Sequence, residues 1–75
     1  MQDFIRIHPQ DNVAVALQAQ PAGQSFMGVT ALKDIPAGHK MALKPIAAGE
    51  KIIKYASPIG VATADIPAGA WVHTH

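Results

Sequence analysis

Asp34-Ile35-Pro36-Ala37-Gly38 returns unchanged as Asp65-Ile66-Pro67-Ala68-Gly69, with Ile46-Ala47-Ala48-Gly49 a weaker copy and Gln20-Pro21-Ala22-Gly23 a weaker one still. Proline presets φ for the first central position of a type I turn, and glycine suits the position after the turn, where a positive φ can be required. Each copy therefore reads as a tight structural corner, and the isoleucine ahead of the proline as its anchor on the core. A phosphate-cradling role would need a glycine-rich loop that opens a helix. None of the copies leads into one, so they are assigned no chemistry.

Outward from these corners, each copy precedes a short strand-like run. Apolar residues alternate with others in Phe4-Ile5-Arg6-Ile7-His8 and in Val13-Ala14-Val15-Ala16-Leu17, the period-two pattern of half-buried strands. The turn formers Pro9-Gln10-Asp11-Asn12 between them complete an opening hairpin. Further strands are predicted at Lys40-Met41-Ala42-Leu43, Lys51-Ile52-Ile53-Lys54-Tyr55, Ile59-Gly60-Val61-Ala62-Thr63 and Trp71-Val72-His73. Alanine is abundant and favours helix, but six Gly and six Pro interrupt every amphipathic window. The expectation is an all-β domain with short turns of helix at most.

Size sets the next bound. A chain of 75 residues and 7.9 kDa has room for one domain and one core. It is expected to expose roughly 4,400 Å² and to hide only about 60% of its unfolded surface. Such a domain gains from a partner surface, either a second copy in a homodimer or the remainder of a larger protein. With no cysteine there is neither a disulfide framework nor a thiolate metal site, and a cytoplasmic location is the default. Six Lys/Arg scattered among five acids form no basic stripe for nucleic acid. No segment has the apolar length to span a bilayer, and the start of the chain has no signal-peptide pattern.

Few side chains are placed for chemistry. His39 and Lys40 follow directly on the first exact corner, where a rigid turn presents polar groups at a strand start; an ordinary exposed strand start has the same sequence. Lys54 and Tyr55 close a strand before a Ser57-Pro58 turn, and a half-buried tyrosine with its hydroxyl at the rim is the plain account of them. Asp11 and Asn12 are most simply turn formers, of chemical interest only if His39 or Lys40 lies near the carboxylate. His73 and His75 point to one face if the last strand continues that far, and two imidazoles can share a divalent metal. A solvated chain end is the plainer account of that pair. No nucleophile elbow or catalytic cysteine is present.

Taken in order, Ile7-His8, Asp11-Asn12-Val13-Ala14, Gly38-His39-Lys40-Met41-Ala42-Leu43, Ile53-Lys54-Tyr55, Ile59-Gly60 and Val72-His73-Thr74-His75 resemble the amino-terminal SAF domain of the altronate and galactarate dehydratase family, on its altronate side. The resemblance runs over essentially the whole chain. It implies a β-clip fold, in which a long two-stranded ribbon folds twice on itself. It also implies a domain that is inactive alone and completed by a large catalytic domain or subunit. The family reaction removes water from an aldonic or aldaric acid to give a 2-keto-3-deoxy acid, with a divalent metal, usually taken as iron(II). There a base takes the proton α to the carboxylate and an acid assists departure of hydroxide.

Carried onto this chain, the resemblance makes His39, Lys40, Lys54, Tyr55 and Asp11 substrate-binding residues, and His73 and His75 metal or substrate contacts. Ala56 stands where the family has glycine after Lys-Tyr, which puts a positive φ at that turn in doubt. The family continues beyond the closing His-x-His, so the end at His75 reads as trimmed. Two other readings stay open. One is the small subunit of a related lyase such as a sulfolactate sulfo-lyase, in which sulfite leaves. The other is a binding or structural SAF module without enzymatic chemistry, as in antifreeze proteins or pilus assembly factors; only Thr30, Thr63 and Thr74 are available for an ice-binding array.

Overall fold

The structure, a computed structural model, describes residues 3–72. All regular elements among them are strands: β1 (Phe4–Ile5), β2 (Val13–Ala16), β3 (Ser25–Phe26), β4 (Val29–Thr30), β5 (Lys40–Ala42), β6 (Lys51–Lys54), β7 (Ser57–Val61) and β8 (Trp71–Val72). The all-β expectation holds. An antiparallel sheet in the order β1-β2-β5-β8 forms the centre, flanked by the hairpins β3-β4 and β6-β7. Phe4 pairs with Ala16, Val13 with Ala42 and Lys40 with Val72, so the sheet joins segments far apart in sequence.

Successive side chains of a strand leave opposite faces, and here both faces are buried. Phe4, Ala14, Ala16 and Met41 pack on one side with Ala31 and Ile35, where Phe26 and Val29 of the β3-β4 hairpin cover them. Val13, Ala42 and Val72 pack on the other with Ile46, Ile52 and Ala62, beneath the β6-β7 hairpin. The single core expected from chain length is thus divided in two by the sheet. The alanines have their explanation here: Ala14, Ala16 and Ala42 sit where covering segments crowd a two-sided sheet, and larger side chains would push the layers apart.

The four corner sequences form two reciprocal pairs. Gln20 and Ile35 exchange both backbone hydrogen bonds at 2.8 Å, and Ile46 and Ile66 do the same at 2.8 and 2.7 Å. The Asp34 carboxylate accepts from the Ala22 amide and the Asp65 carboxylate from the Ala48 amide, each at 2.9 Å. Gly38 N–H donates to Ala16 O and Gly69 N–H to Ala42 O, both at 2.8 Å, so each exact corner is stitched to the strand that precedes its partner corner. Each corner leads into a strand, as expected, and Ile35 and Ile46 are buried anchors.

Both hairpins turn through two left-handed residues, Met27-Gly28 (φ 53° and 78°) and Tyr55-Ala56 (φ 56° and 61°). That is the requirement of a type I′ turn, whose twist matches the strands. Two expectations are corrected. Ser57 and Pro58 open β7 and do not form the turn, and the positive φ at residue 56 is present although alanine occupies it. The β3-β4 hairpin went unread because Met27-Gly28 is a weak turn signal. Since a Cβ disfavours the left-handed region by about 1 kcal/mol, Ala56→Gly is expected to raise stability by about that amount. Urea denaturation of the two proteins measures it.

Candidate functional site

His39 leaves the first exact corner and Lys40 begins β5. The corner is rigid: His39 N–H donates to Pro36 O at 3.1 Å, and its carbonyl accepts from Ala16 N–H at 2.8 Å. The imidazole meets Trp71 edge-on, with ring centroids 5.1 Å apart and planes at 82°. Trp71 Nε1–H donates to His39 Nδ1 at 3.1 Å. Indole nitrogen only donates, so Nδ1 is the acceptor and the neutral ring carries its hydrogen on Nε2. Trp71 was read from the sequence only as a strand residue; its distance of 32 positions from His39 hid the contact.

Lys40 lies opposite Val15 and Val72, on the sheet face covered by the β6-β7 hairpin, whereas Trp71 packs on the other face with Met41. Lys40 and the His39–Trp71 pair thus approach one end of β5 from opposite sides. Burial, and then the positive charge of Lys54, hold the half-buried Lys40 ammonium below its ordinary pKa of 10.5. Lys54 shares strand parity with the buried Ile52, and its Nζ lies 4.7 Å from the Tyr55 ring centroid, a cation–π contact. Among the described residues no carboxylate pairs with either lysine. Two ammonium groups close enough to repel, beside an aromatic ring that is 52% exposed, form a site suited to a carboxylate.

Asp11 is not in that group. It precedes β2 at the end away from Lys40, so the condition that made its carboxylate chemically interesting is not met. The carboxylate is instead buried, 6% exposed. Oδ1 accepts from Ala56 N–H at 2.7 Å and Oδ2 from His8 N–H at 3.1 Å. Burial acts to raise its pKa, but backbone N–H groups of Ala56, Tyr55, His8 and Ile7 outweigh it, and the net value lies below the ordinary 3.8. Asn12 works beside it: its Oδ1 accepts from Ile53 N–H at 2.8 Å and its Nδ2 donates to Lys51 O at 3.0 Å. Together these residues hold the hairpin that carries Lys54 and Tyr55. Asp11 is thus a positioning residue for the cationic group.

Because the folded pKa of Asp11 is lowered, its stabilisation is fully present above the unfolded value and is lost as pH falls through the folded one. Acid unfolding is expected to set in below about pH 4. Asp11→Asn, which replaces one acceptor with a donor facing a backbone N–H, is expected to cost about 2 kcal/mol at pH 7 and less at pH 3. Chemical denaturation at the two pH values checks both numbers.

His73 and His75 lie outside the described residues. Among the described ones, no three His, Asp or Glu side chains gather into a metal-binding group. His39 Nδ1 and the Asp11 oxygens already accept hydrogen bonds, and His8 Nδ1 accepts from Gln10 N–H at 3.1 Å. The described residues therefore do not supply a metal site themselves. The described residues include no helix long and apolar enough to cross a membrane.

A profile of the altronate/galactarate dehydratase SAF domain matches residues 2–75. Over 96% of its length the chain is 49% identical to an altronate dehydratase of Escherichia coli, and over its full length 40% identical to an altronate dehydratase of Bacillus subtilis. It spans only 15% and 16% of those two proteins. It is also 51% identical, over 63% of the chain, to the alpha subunit of a (2R)-sulfolactate sulfo-lyase from Paracoccus pantotrophus, and there the match takes in 70% of the relative.

Proposed function

Since this chain belongs to the altronate/galactarate dehydratase SAF domain family, we propose that it is the small accessory part of a sugar-acid hydro-lyase. In this reading it supplies substrate contacts and an assembly surface to a large catalytic domain or subunit. The observation that carries it is the cationic pair. The positive charge of Lys54 acts on the half-buried Lys40, and no carboxylate among the described residues pairs with either, an arrangement that an anionic substrate relieves. Tyr55 borders the pair, and Asp11 anchors the turn that bears it. His39, held by Trp71, offers Nε2–H at the same end of β5 to a substrate hydroxyl or a departing oxygen. A ligand touching both groups lies across the rim of the sheet, where a second protein surface can enclose it.

The divalent metal of the complete enzyme, proposed as iron(II), supplies Lewis-acid polarisation when bound. Its ligands are assigned mainly to the catalytic part, with His73 and His75 as this chain's candidate donors. The proposal places the assembly in the cytoplasm, as a homodimer. In assays, this chain alone is expected to leave altronate and galactarate unchanged, and the protein joined to its catalytic region is expected to dehydrate one of them. Turnover by the 75-residue chain alone would overturn the accessory role.

A second reading rests on the extent of the match to the sulfo-lyase alpha subunit, a protein close to this chain in size. There the same cationic pair meets a sulfonate as well as a carboxylate, and sulfite leaves in place of water. Turnover of sulfolactate, but of neither sugar acid, by the complete protein selects it.

A further inference from the structure

At the opposite end of β5 from His39 and Lys40, an open depression of about 470 Å³ is lined by Arg6 and Lys44 together with Leu43, Ile53, Asp11 and Asn12. We propose that this depression is a second anion site, which takes a small monocarboxylate with a short apolar body. Its charge meets Arg6 and Lys44, and its body lies on Leu43 and Ile53. The inference goes beyond the accessory role and does not rest on it.

Three observations carry it. Neither Arg6 nor Lys44 has an acidic partner among the described residues, and both border one concavity. Asp11, the one acid in the lining, is already committed: its two oxygens receive backbone N–H groups of His8 and Ala56, and against its single negative charge the two cations leave the lining net positive. The floor is rigid, because Asn12 is bonded to Ile53 and Lys51 and its carbonyl accepts from Leu43 N–H at 2.9 Å. A guanidinium above an apolar, preformed floor binds a carboxylate more tightly than one in open water, since water competes less for both charges. Apolar atoms make up the larger share of the exposed wall, with Pro9, Leu43 and Ile53 beside the polar Gln10 and Asn12, which gives a short acyl body a surface to lie on.

Titration of the 75-residue chain with sodium propionate, followed by amide chemical shifts, tests it. Saturable shifts are expected at Asn12, Leu43 and Ile53 with millimolar affinity. Arg6→Gln and Lys44→Gln are each expected to weaken binding about tenfold, while Lys40→Gln leaves it unchanged. Sodium sulfate at equal ionic strength is the control for non-specific screening. Shifts that rise linearly without saturating, that are matched by sulfate, or that survive the Arg6→Gln/Lys44→Gln double variant overturn the proposal. Loss of binding in Lys40→Gln overturns it too, by moving the site to the cationic pair.

Discussion

Gly69→Ala is expected to remove about 4 kcal/mol or more of folding stability, while Gly38→Ala, in the same pentapeptide sequence, removes about 1 to 2 kcal/mol. Both glycines are left-handed, with φ of 86° and 80°, so the conformational penalty is shared. The surroundings differ. A Cβ at Gly38 meets nothing within 4 Å, whereas one at Gly69 lands on the Thr30 carbonyl oxygen and within 3.4 Å of Leu32. Backbone cannot rotate aside as a side-chain tip can. Gly69 O also accepts from Leu32 N–H at 2.9 Å, so relief of the clash breaks a bond between the two halves of the molecule. A domain this small is stable by roughly 0.05 to 0.15 kcal/mol per residue, so Gly69→Ala takes away a third of that or more. Thermal melts of the two variants decide it; equal losses would show that the Thr30 carbonyl does not stand in the way of a Cβ at Gly69.

On the proposed accessory role, Lys40→Ala in the protein joined to its catalytic region is expected to lower kcat/KM about 100-fold, with most of the loss in KM, and His39→Ala to lower it about tenfold or more, with the loss in kcat. The difference follows from role. An ammonium that binds the substrate carboxylate acts on the ground state and the transition state alike, whereas an imidazole that donates to a departing oxygen acts on the transition state. Neither change should unfold the domain. Lys40 is half-buried on a sheet whose backbone pairing does not need its side chain, and His39 is exposed. Steady-state kinetics with far-ultraviolet circular dichroism as the folding control measure both effects. Wild-type constants in both variants would remove these residues from the site.

The repeated corners were legible because proline and glycine act locally: Asp34 through Gly38 and Asp65 through Gly69 announce a turn whatever surrounds them. The identity of the pentapeptides concealed how differently their glycines are used, since Thr30 approaches only one and sequence carries no record of that distance. His39, Lys40, Lys54 and Tyr55 were picked out by motif, and the structure gives them two settings: Lys40 with Lys54 and Tyr55, His39 with Trp71. Asp11 and Asn12 were read as local turn formers because their partners, Ile53 and Ala56, lie 41 and 45 residues away. Trp71 was missed for the same reason. A pairing of that span leaves no periodic trace in the chain.

The last corner bonds to Ala42 and Leu32, and the last described strand lines β5. During synthesis the face covered by the β3-β4 hairpin has all its buried residues once Met41 has emerged, whereas the face that holds Val13, Ala42, Ile46 and Ile52 is closed only when Val72 follows. Until the final corner has emerged that face is open to other chains, so slow passage of the ribosome over this stretch is expected to lower the yield of folded protein.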